Sequence, residues 1–175
     1  LTPEELKILQ DISLLTLKEM IYVFNHAENS IPADWPKADP GYPVFYLCAS
    51  LEAELAELPE ADRLSFMDAY GLRESRTELL IKECYNLLQL ITFYTIKGSE
   101  ARGWIITAGT RAAEAAGKVH SDMEKGFINA EVFPSELLLA EGGAAHAREK
   151  GLSRVEGRDY EVKDGDVLFI RFRSA

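Results

Sequence analysis

Leu90-Ile91-Thr92-Phe93-Tyr94-Thr95, a Lys97-Gly98 turn and Trp104-Ile105-Ile106 form the stretch on which the fold turns. β-Branched and aromatic residues on either side of a short glycine-containing loop predict a β-hairpin. Downstream, Thr110 is placed to cap an alanine-rich helix from Arg111 to Ala116, stopped by Gly117. A strand at Ile128 to Phe133 and a helix from about Ser135 to Ala140 follow. Tyr160-Glu161-Val162, the turn Lys163-Asp164-Gly165-Asp166 and a final strand from Val167 to Phe172 close the unit. A hairpin, a helix across it and returning strands describe a β-grasp, or ubiquitin-like, α+β sheet over residues 90–175.

Upstream of the hairpin the pattern changes. From Arg63 to Leu90, apolar residues at helical spacing predict one or two helices broken near Gly71, with residues 71–89 as a helical linker. Val44 to Cys48 reads as a short buried strand leading into a helix at Leu51 to Leu58. Before it, Met20-Ile21-Tyr22-Val23-Phe24 lacks alternation and reads as a strand buried on both faces, ending at Asn25. Residues 29–43 hold four of the seven prolines, Pro32, Pro36, Pro40 and Pro43, together with Gly41, so this segment reads as mostly loop. Strand, loop, strand and helix suit the edge of an open parallel α/β sheet, assigned to residues 17–70. At the start of the chain, Thr2-Pro3-Glu4-Glu5 reads as a capped helix start. Leu1 opens in the middle of a polar helical pattern, so the expectation is a piece of a longer chain.

Nearly half of the 175 residues are hydrophobic, enough for one good core or two small ones. No apolar run approaches the roughly 20 residues of a membrane-spanning helix, so no membrane partner is expected. Cys48 and Cys84 show neither CxxC spacing nor clustered histidines, which points away from zinc or a disulfide framework and toward a reducing cytoplasm. The net charge of -10 is uneven: residues 1–89 carry 7 Lys and Arg against 16 Asp and Glu, and residues 90–175 carry 12 against 13. Two units with different surfaces are implied, and the acidic one is a poor match to nucleic acid.

Chemistry is first suggested by Asn25-His26-Ala27-Glu28, directly after a buried strand. Open α/β sheets bind ligands beyond the carboxyl ends of their strands, and in P-loop GTPases an Asn-Lys-x-Asp motif there reads guanine. Here Glu28 stands for that Asp and the Lys is absent. On the next strand, Cys48-Ala49-Ser50 occupies the place of a Ser-Ala-Lys loop, where Ala49 supplies the small residue needed for close approach to a base. The bland alternatives are a polar strand-to-loop turn at Asn25 and an ordinary helix start with Ser50 as N-cap.

Together these stretches resemble the YchF or Obg-like ATPase family of P-loop NTPases. The likeness rests on Leu14-Leu15-Thr16 through Asn25, on Ala49-Ser50-Leu51-Glu52-Ala53-Glu54-Leu55 and on Leu90 to Thr95. It rests above all on Ala115-Ala116-Gly117-Lys118-Val119-His120-Ser121-Asp122 through Val132, with Asp164-Gly165-Asp166-Val167. The resemblance implies that Asn25, His26 and Glu28, with Cys48, Ala49 and Ser50, belong to a base-recognition edge that prefers ATP over GTP. It implies that residues 1–16 end a helical coiled-coil insertion and that residues 90–175 are a TGS domain, a β-grasp module of proteins acting around ribosomes and RNA.

No G-x-x-x-x-G-K-[ST] occurs in the chain, so the groups that would hold the β- and γ-phosphates and Mg²⁺ are expected in a separate, N-terminal nucleotide-binding half. No catalytic residue and no metal ligand is assigned here. The chain alone is expected not to hydrolyse nucleotide, whereas its parent is expected to be an ATPase that uses ATP with Mg²⁺.

His120-Ser121-Asp122 is read as a helix-terminal cap rather than a triad, Gly142-Gly143 as a helix stop, and His146 as a solvated side chain. The remaining candidate is a basic and aromatic surface: Arg148, Lys150, Arg154, Arg158, Lys163, Arg171 and Arg173, with Tyr160 nearby. Arg171 and Arg173 share a face of the last strand. With Arg154, Arg158 and Tyr160 they are the candidate contacts to RNA or the ribosome. The alternative function is a stand-alone β-grasp adaptor that binds RNA or protein without nucleotide.

Overall fold

The computed structural model describes residues 14–28 and 41–173, together with Thr2 and Glu5. The expected loop at 29–43 and the expected helix after Glu5 lie largely outside the described residues. At the chain start the Thr2 N–H donates to Glu5 Oε2 at 2.7 Å and the Glu5 N–H to Thr2 Oγ1 at 3.3 Å, a reciprocal capping box on the expected cap. The chain divides into two compact units, residues 1–88 and 89–175.

In the first unit, β1 (Tyr22–Asn25) pairs in parallel with β2 (Val44–Leu47), in register Tyr22 to Val44 through Asn25 to Leu47. Across the pair, the rings of Phe24 and Tyr46 stack with centroids 5.5 Å apart. Three helices follow: α1 (Ala49–Glu57), α2 (Glu60–Ala69) and α3 (Arg76–Leu87). The order of two strands and then a helix and the break at Gly71, which takes φ +66°, agree with the sequence reading. Burial of β1 on both faces does not. Its residues alternate between half-buried and exposed, with Val23 46% exposed, because among the described residues the sheet has two strands and only one partner covers β1.

Helix α3 owes its start to a distant residue. The Glu52 carboxylate accepts the Ser75 hydroxyl at 2.6 Å, the Arg76 N–H at 2.9 Å and the Thr77 N–H at 3.1 Å. These donors include groups that a helix N-terminus leaves without intrahelical partners. Burial would raise the Glu52 carboxyl pKa, but the hydrogen bonds outweigh it and hold the group below the ordinary range.

The second unit is a five-stranded mixed sheet in the order β4-β3-β7-β5-β6. Its strands are β3 (Leu90–Lys97), β4 (Glu100–Thr107), β5 (Phe127–Pro134), β6 (Arg154–Glu156) and β7 (Asp166–Phe172). The β3–β4 hairpin pairs in full from Leu90–Thr107 to Lys97–Glu100, as its composition predicts. Helices α4 (Ala112–Val119) and α5 (Ser121–Lys125) connect β4 to β5. Phe93, Ile106, Phe127, Ala130, Val132 and Leu168 form a core with the alanines of α4 on one face of the sheet. On the other face, α6 (Ser135–Ala140) and α7 (Ala144–Glu149) contribute Leu138 and Ala147 against Phe133 and Val167.

Two expectations in this unit are corrected. Gly117 does not stop the helix, which runs through it to Val119, and the N-cap is Arg111, not Thr110. A Cβ at Gly117 would run into the Glu124 carboxylate, so the glycine admits α5 at close range. Tyr160–Val162 is not a strand; it makes one isolated bridge, Arg111 with Glu161. The fourth strand is β6, too short to show alternation in the sequence.

Candidate functional site

The parallel β1–β2 pair brings the two sequence motifs of the first unit together at its carboxyl end. The His26 N–H continues the ladder to the Leu47 carbonyl at 3.0 Å, and Asn25 Oδ1 accepts the Ala49 N–H, also at 3.0 Å. Asn25 thus caps α1 across 24 residues of sequence. The helix N-cap position is taken by Cys48, not Ser50, and Cys48 Sγ lies 3.1 Å from Ser50 Oγ. Since the Ala49 N–H is already committed to Asn25, this amide is not the one left to meet a ligand edge.

A cleft of about 370 Å³ opens at this end, within the roughly 300–1,000 Å³ of small-molecule sites. His26, Glu28 and Cys48 line it, joined by Tyr46, Tyr70 and Arg76. Of the six residues read as a base edge, three line the cleft directly. Asn25, Ala49 and Ser50 build the turn behind it. Sequence reading missed Tyr46, Glu52, Tyr70, Leu72 and Arg76 in the lining. Tyr70, Leu72 and Arg76 arrive through the fold-back of α2 and α3, a tertiary contact without a local signal. The arrangement offers two carboxylates, an imidazole, a guanidinium and two aromatic side chains, a set suited to hydrogen bonding and stacking against a planar heterocycle. Among the described residues, no group of three or more His, Cys, Asp or Glu side chains could hold a metal ion.

The basic candidates of the second unit fall into two kinds. Arg171 and Arg173 are exposed at the end of β7, and Arg154 is exposed on β6. Arg158 is exposed but donates to the Phe127 and Glu124 carbonyls at 3.3 Å each. Tyr160 is half-buried, with its hydroxyl donating to Asp166 Oδ2 at 2.8 Å and the Arg154 guanidinium 5.9 Å from its ring centre. It is a packed residue more than a stacking platform. Arg148 is engaged as well, donating to both Glu131 carboxylate oxygens at 2.9–3.0 Å beside the Phe133 and Phe169 rings. His120 caps α5, its Nδ1 accepting the Asp122 N–H at 3.2 Å, and His146 is exposed, both as read.

Comparison with known proteins gives a concordant picture. The family described as YchF-GTPase_C, protein of unknown function (DUF933), matches residues 90–173. A protein of Bacillus subtilis named ribosome-binding ATPase YchF is 39% identical over 187 residues, which cover 98% of this chain and 50% of the relative. Obg-like ATPase 1 of Rattus norvegicus is 36% identical over 182 residues, covering 98% of this chain and 46% of the relative. Among solved structures, the Schizosaccharomyces pombe YchF GTPase superposes with a TM-score of 0.84 at 26% identity, over 98% of this chain and 48% of that one. The chain therefore spans about half the length of the relatives it matches. Both named relatives are ATPases, and the adaptor reading finds no support in them.

Proposed function

The chain belongs to the YchF and Obg-like ATPase family, and on that premise we propose that it supplies the base-facing edge of an ATP site and a TGS-type β-grasp domain to a ribosome-associated cytoplasmic ATPase. One observation carries the nucleotide part: the parallel β1–β2 pair sets Asn25 against Ala49 and opens a single cleft lined by His26, Glu28 and Cys48. In this reading Glu28 and the His26 backbone face adenine, and Cys48 forms the wall beyond the second strand, with Ala49 and Ser50 in the turn behind it.

ATP, with its Mg²⁺, brings the phosphoryl group to be transferred. The residues of this chain bind and orient the base, and the phosphate-holding groups are assigned to the part of the relatives that this chain does not span. GTP is the competing ligand, since Glu28 occupies the position at which a carboxylate selects the base.

The strand order β4-β3-β7-β5-β6, with β3 and β7 parallel at the centre and α4 across one face, supports the β-grasp reading of residues 90–175. Arg154, Arg158, Arg171 and Arg173 are its proposed contacts to ribosomal RNA, with Tyr160 as a neighbour that holds Arg154. The finer division into residues 1–16, 17–70, 71–89 and 90–175 belongs to the same proposal.

Calorimetric titration of ATP and GTP, with this chain and with the full reading frame that contains it, tests the nucleotide part. ATP binding to the full protein that is lost in Glu28→Ala is expected. Unchanged affinity in that variant would remove the base edge from the proposal. Salt-dependent co-sedimentation with ribosomes, weakened by Arg171→Glu with Arg173→Glu, tests the other part.

A further inference from the structure

Two separate stretches of chain build the cleft at the end of the β1–β2 pair. His26, Glu28 and Cys48 come from the strand ends, whereas Tyr70, Leu72 and Arg76 come from the connection between α2 and α3 and from the first residue of α3. Apolar packing does little to hold this second stretch in place, since no residue of α2 or α3 is buried. The link is polar. Helix α1 is anchored by the buried Leu51 and Leu55, and between them Glu52 gives its carboxylate to the Ser75 hydroxyl and to the Arg76 and Thr77 N–H groups, 23 to 25 residues further along the chain. Ser75 Oγ in turn accepts the Glu78 N–H at 3.2 Å and completes the cap.

This arrangement fixes the main chain of Arg76 and leaves its side chain uncommitted. The Arg76 N–H is bonded to Glu52 Oε1 at 2.9 Å, while among the described residues its guanidinium makes no ion pair and no hydrogen bond. Arg76 is also the single Lys or Arg among the described residues that line the cleft.

We propose that Arg76 is a further nucleotide-binding residue, its planar guanidinium laid on a face of the bound base, and that Glu52 is the positioning residue that delivers it. The inference rests on the nucleotide reading of this cleft. In that reading the phosphates go to groups that this chain does not span, so the cation standing here meets the base. A guanidinium is planar and weakly hydrated, and it stacks on a π face where an ammonium only adds charge. Stacking does not distinguish one purine from another, because every base has a π face. Arg76 therefore sets how tightly a purine nucleotide is held, and Glu28 sets which one.

Competition titrations of ATP and GTP on the full reading frame, with a thermal melt of each variant, test this. Arg76→Ala is expected to weaken both nucleotides by the same factor, about three- to tenfold, the worth of one cation–π stack, with the melting midpoint in place. Arg76→Lys keeps the charge and recovers little. Glu52→Ala weakens both nucleotides likewise, and Glu52→Gln, whose carbonyl oxygen still accepts the main-chain N–H groups, restores most of that loss. The restoration vanishes in an Arg76→Ala background, which a merely structural Glu52 would not show. Wild-type affinity in Arg76→Ala overturns the inference, as does wild-type affinity in Arg76→Lys or a Glu52→Ala loss that persists undiminished beside Arg76→Ala. Where Glu28→Ala weakens ATP and Arg76→Ala does not, this inference alone fails; where neither does, the nucleotide reading of the cleft fails with it.

Discussion

The Tyr160 hydroxyl donates to Asp166 Oδ2 across 2.8 Å, and the same oxygen accepts the Lys163 N–H at 2.9 Å. Asp166 is 3% exposed, so these bonds replace the water that the carboxylate gives up on folding. Two residues earlier, Asp164 Oδ1 holds the Thr92 N–H. Both acids of the Asp164-Gly165-Asp166 turn therefore tie β7 into the sheet, and this part of the family-like sequence is spent on architecture.

Burial, followed by the hydrogen bond to Asp166, pushes the Tyr160 phenol up to about 12. A phenol that keeps its proton longer when folded than when unfolded favours folding fully below its unfolded pKa of about 10. That contribution is lost as the pH rises toward about 12. Tyr160→Phe is expected to abolish the late part of the phenolate absorbance rise and to flatten the alkaline loss of stability. At neutral pH it should destabilise by about 1–3 kcal/mol, because a buried carboxylate loses a donor. A phenolate titration of the two proteins, paired with urea melts, checks both.

Glu131 supplies the opposite pH dependence. Its bonds from Arg148, which outweigh the cost of burial, hold the carboxyl below the ordinary carboxylate range. Stability from this group is present above the unfolded pKa and is lost as the pH falls through the lower, folded one. Arg148→Ala leaves a 7% exposed carboxylate without its partner and is expected to cost about 1–3 kcal/mol near neutral pH. The loss should shrink under acid. A variant penalty that is equal at neutral and acid pH would show that the pair is not what Arg148 contributes.

Gly117 sits inside α4, where alanine would ordinarily be the better helix former by about 1 kcal/mol. Here a Cβ would meet the Glu124 carboxylate and lie 3.2 Å from its Cβ. That carboxylate is the end of an exposed, flexible side chain that can swing aside, so only the approach to Glu124 Cβ opposes the helix gain, and Gly117→Ala is expected to leave stability within about 1 kcal/mol. Adding Glu124→Ala, which clears the carboxylate, should turn the change toward stabilisation. Thermal melts of the two single variants and the double variant form the cycle.

What was legible in the sequence followed the range of the interactions. The β3–β4 hairpin and the helix Ser135–Ala140 were readable because alternation, turn residues and helix periodicity are local. Gly117 looked like a stop because composition carries no trace of Glu124 passing beside it. Arg154–Glu156 was passed over because three residues cannot display a period. In the first unit, Asn25 and Glu28 were marked by their place after a strand. Tyr70, Leu72 and Arg76 enter the same cleft only through the fold-back that Glu52 secures at the head of α3, and nothing around them in sequence announces it.

The division of labour between Asn25 and Glu28 yields the last prediction. Asn25 Oδ1 is engaged with the Ala49 N–H, so Asn25→Ala removes a helix cap and should cost about 1 kcal/mol in stability along with affinity for any nucleotide. Glu28 is exposed at the cleft and its carboxylate makes no comparable bond among the described residues. Changing it should leave stability within about 0.5 kcal/mol. Glu28→Asp shortens the side chain to the length with which a carboxylate accepts two hydrogen bonds from guanine. In the full reading frame it is expected to move the ratio of GTP to ATP affinity toward GTP by roughly tenfold, about 1.4 kcal/mol. Competition titrations on the wild type and both variants measure this. An unchanged ratio in Glu28→Asp, with Asn25→Ala still weakening both nucleotides, would mean that the cleft binds nucleotide without Glu28 reading the base.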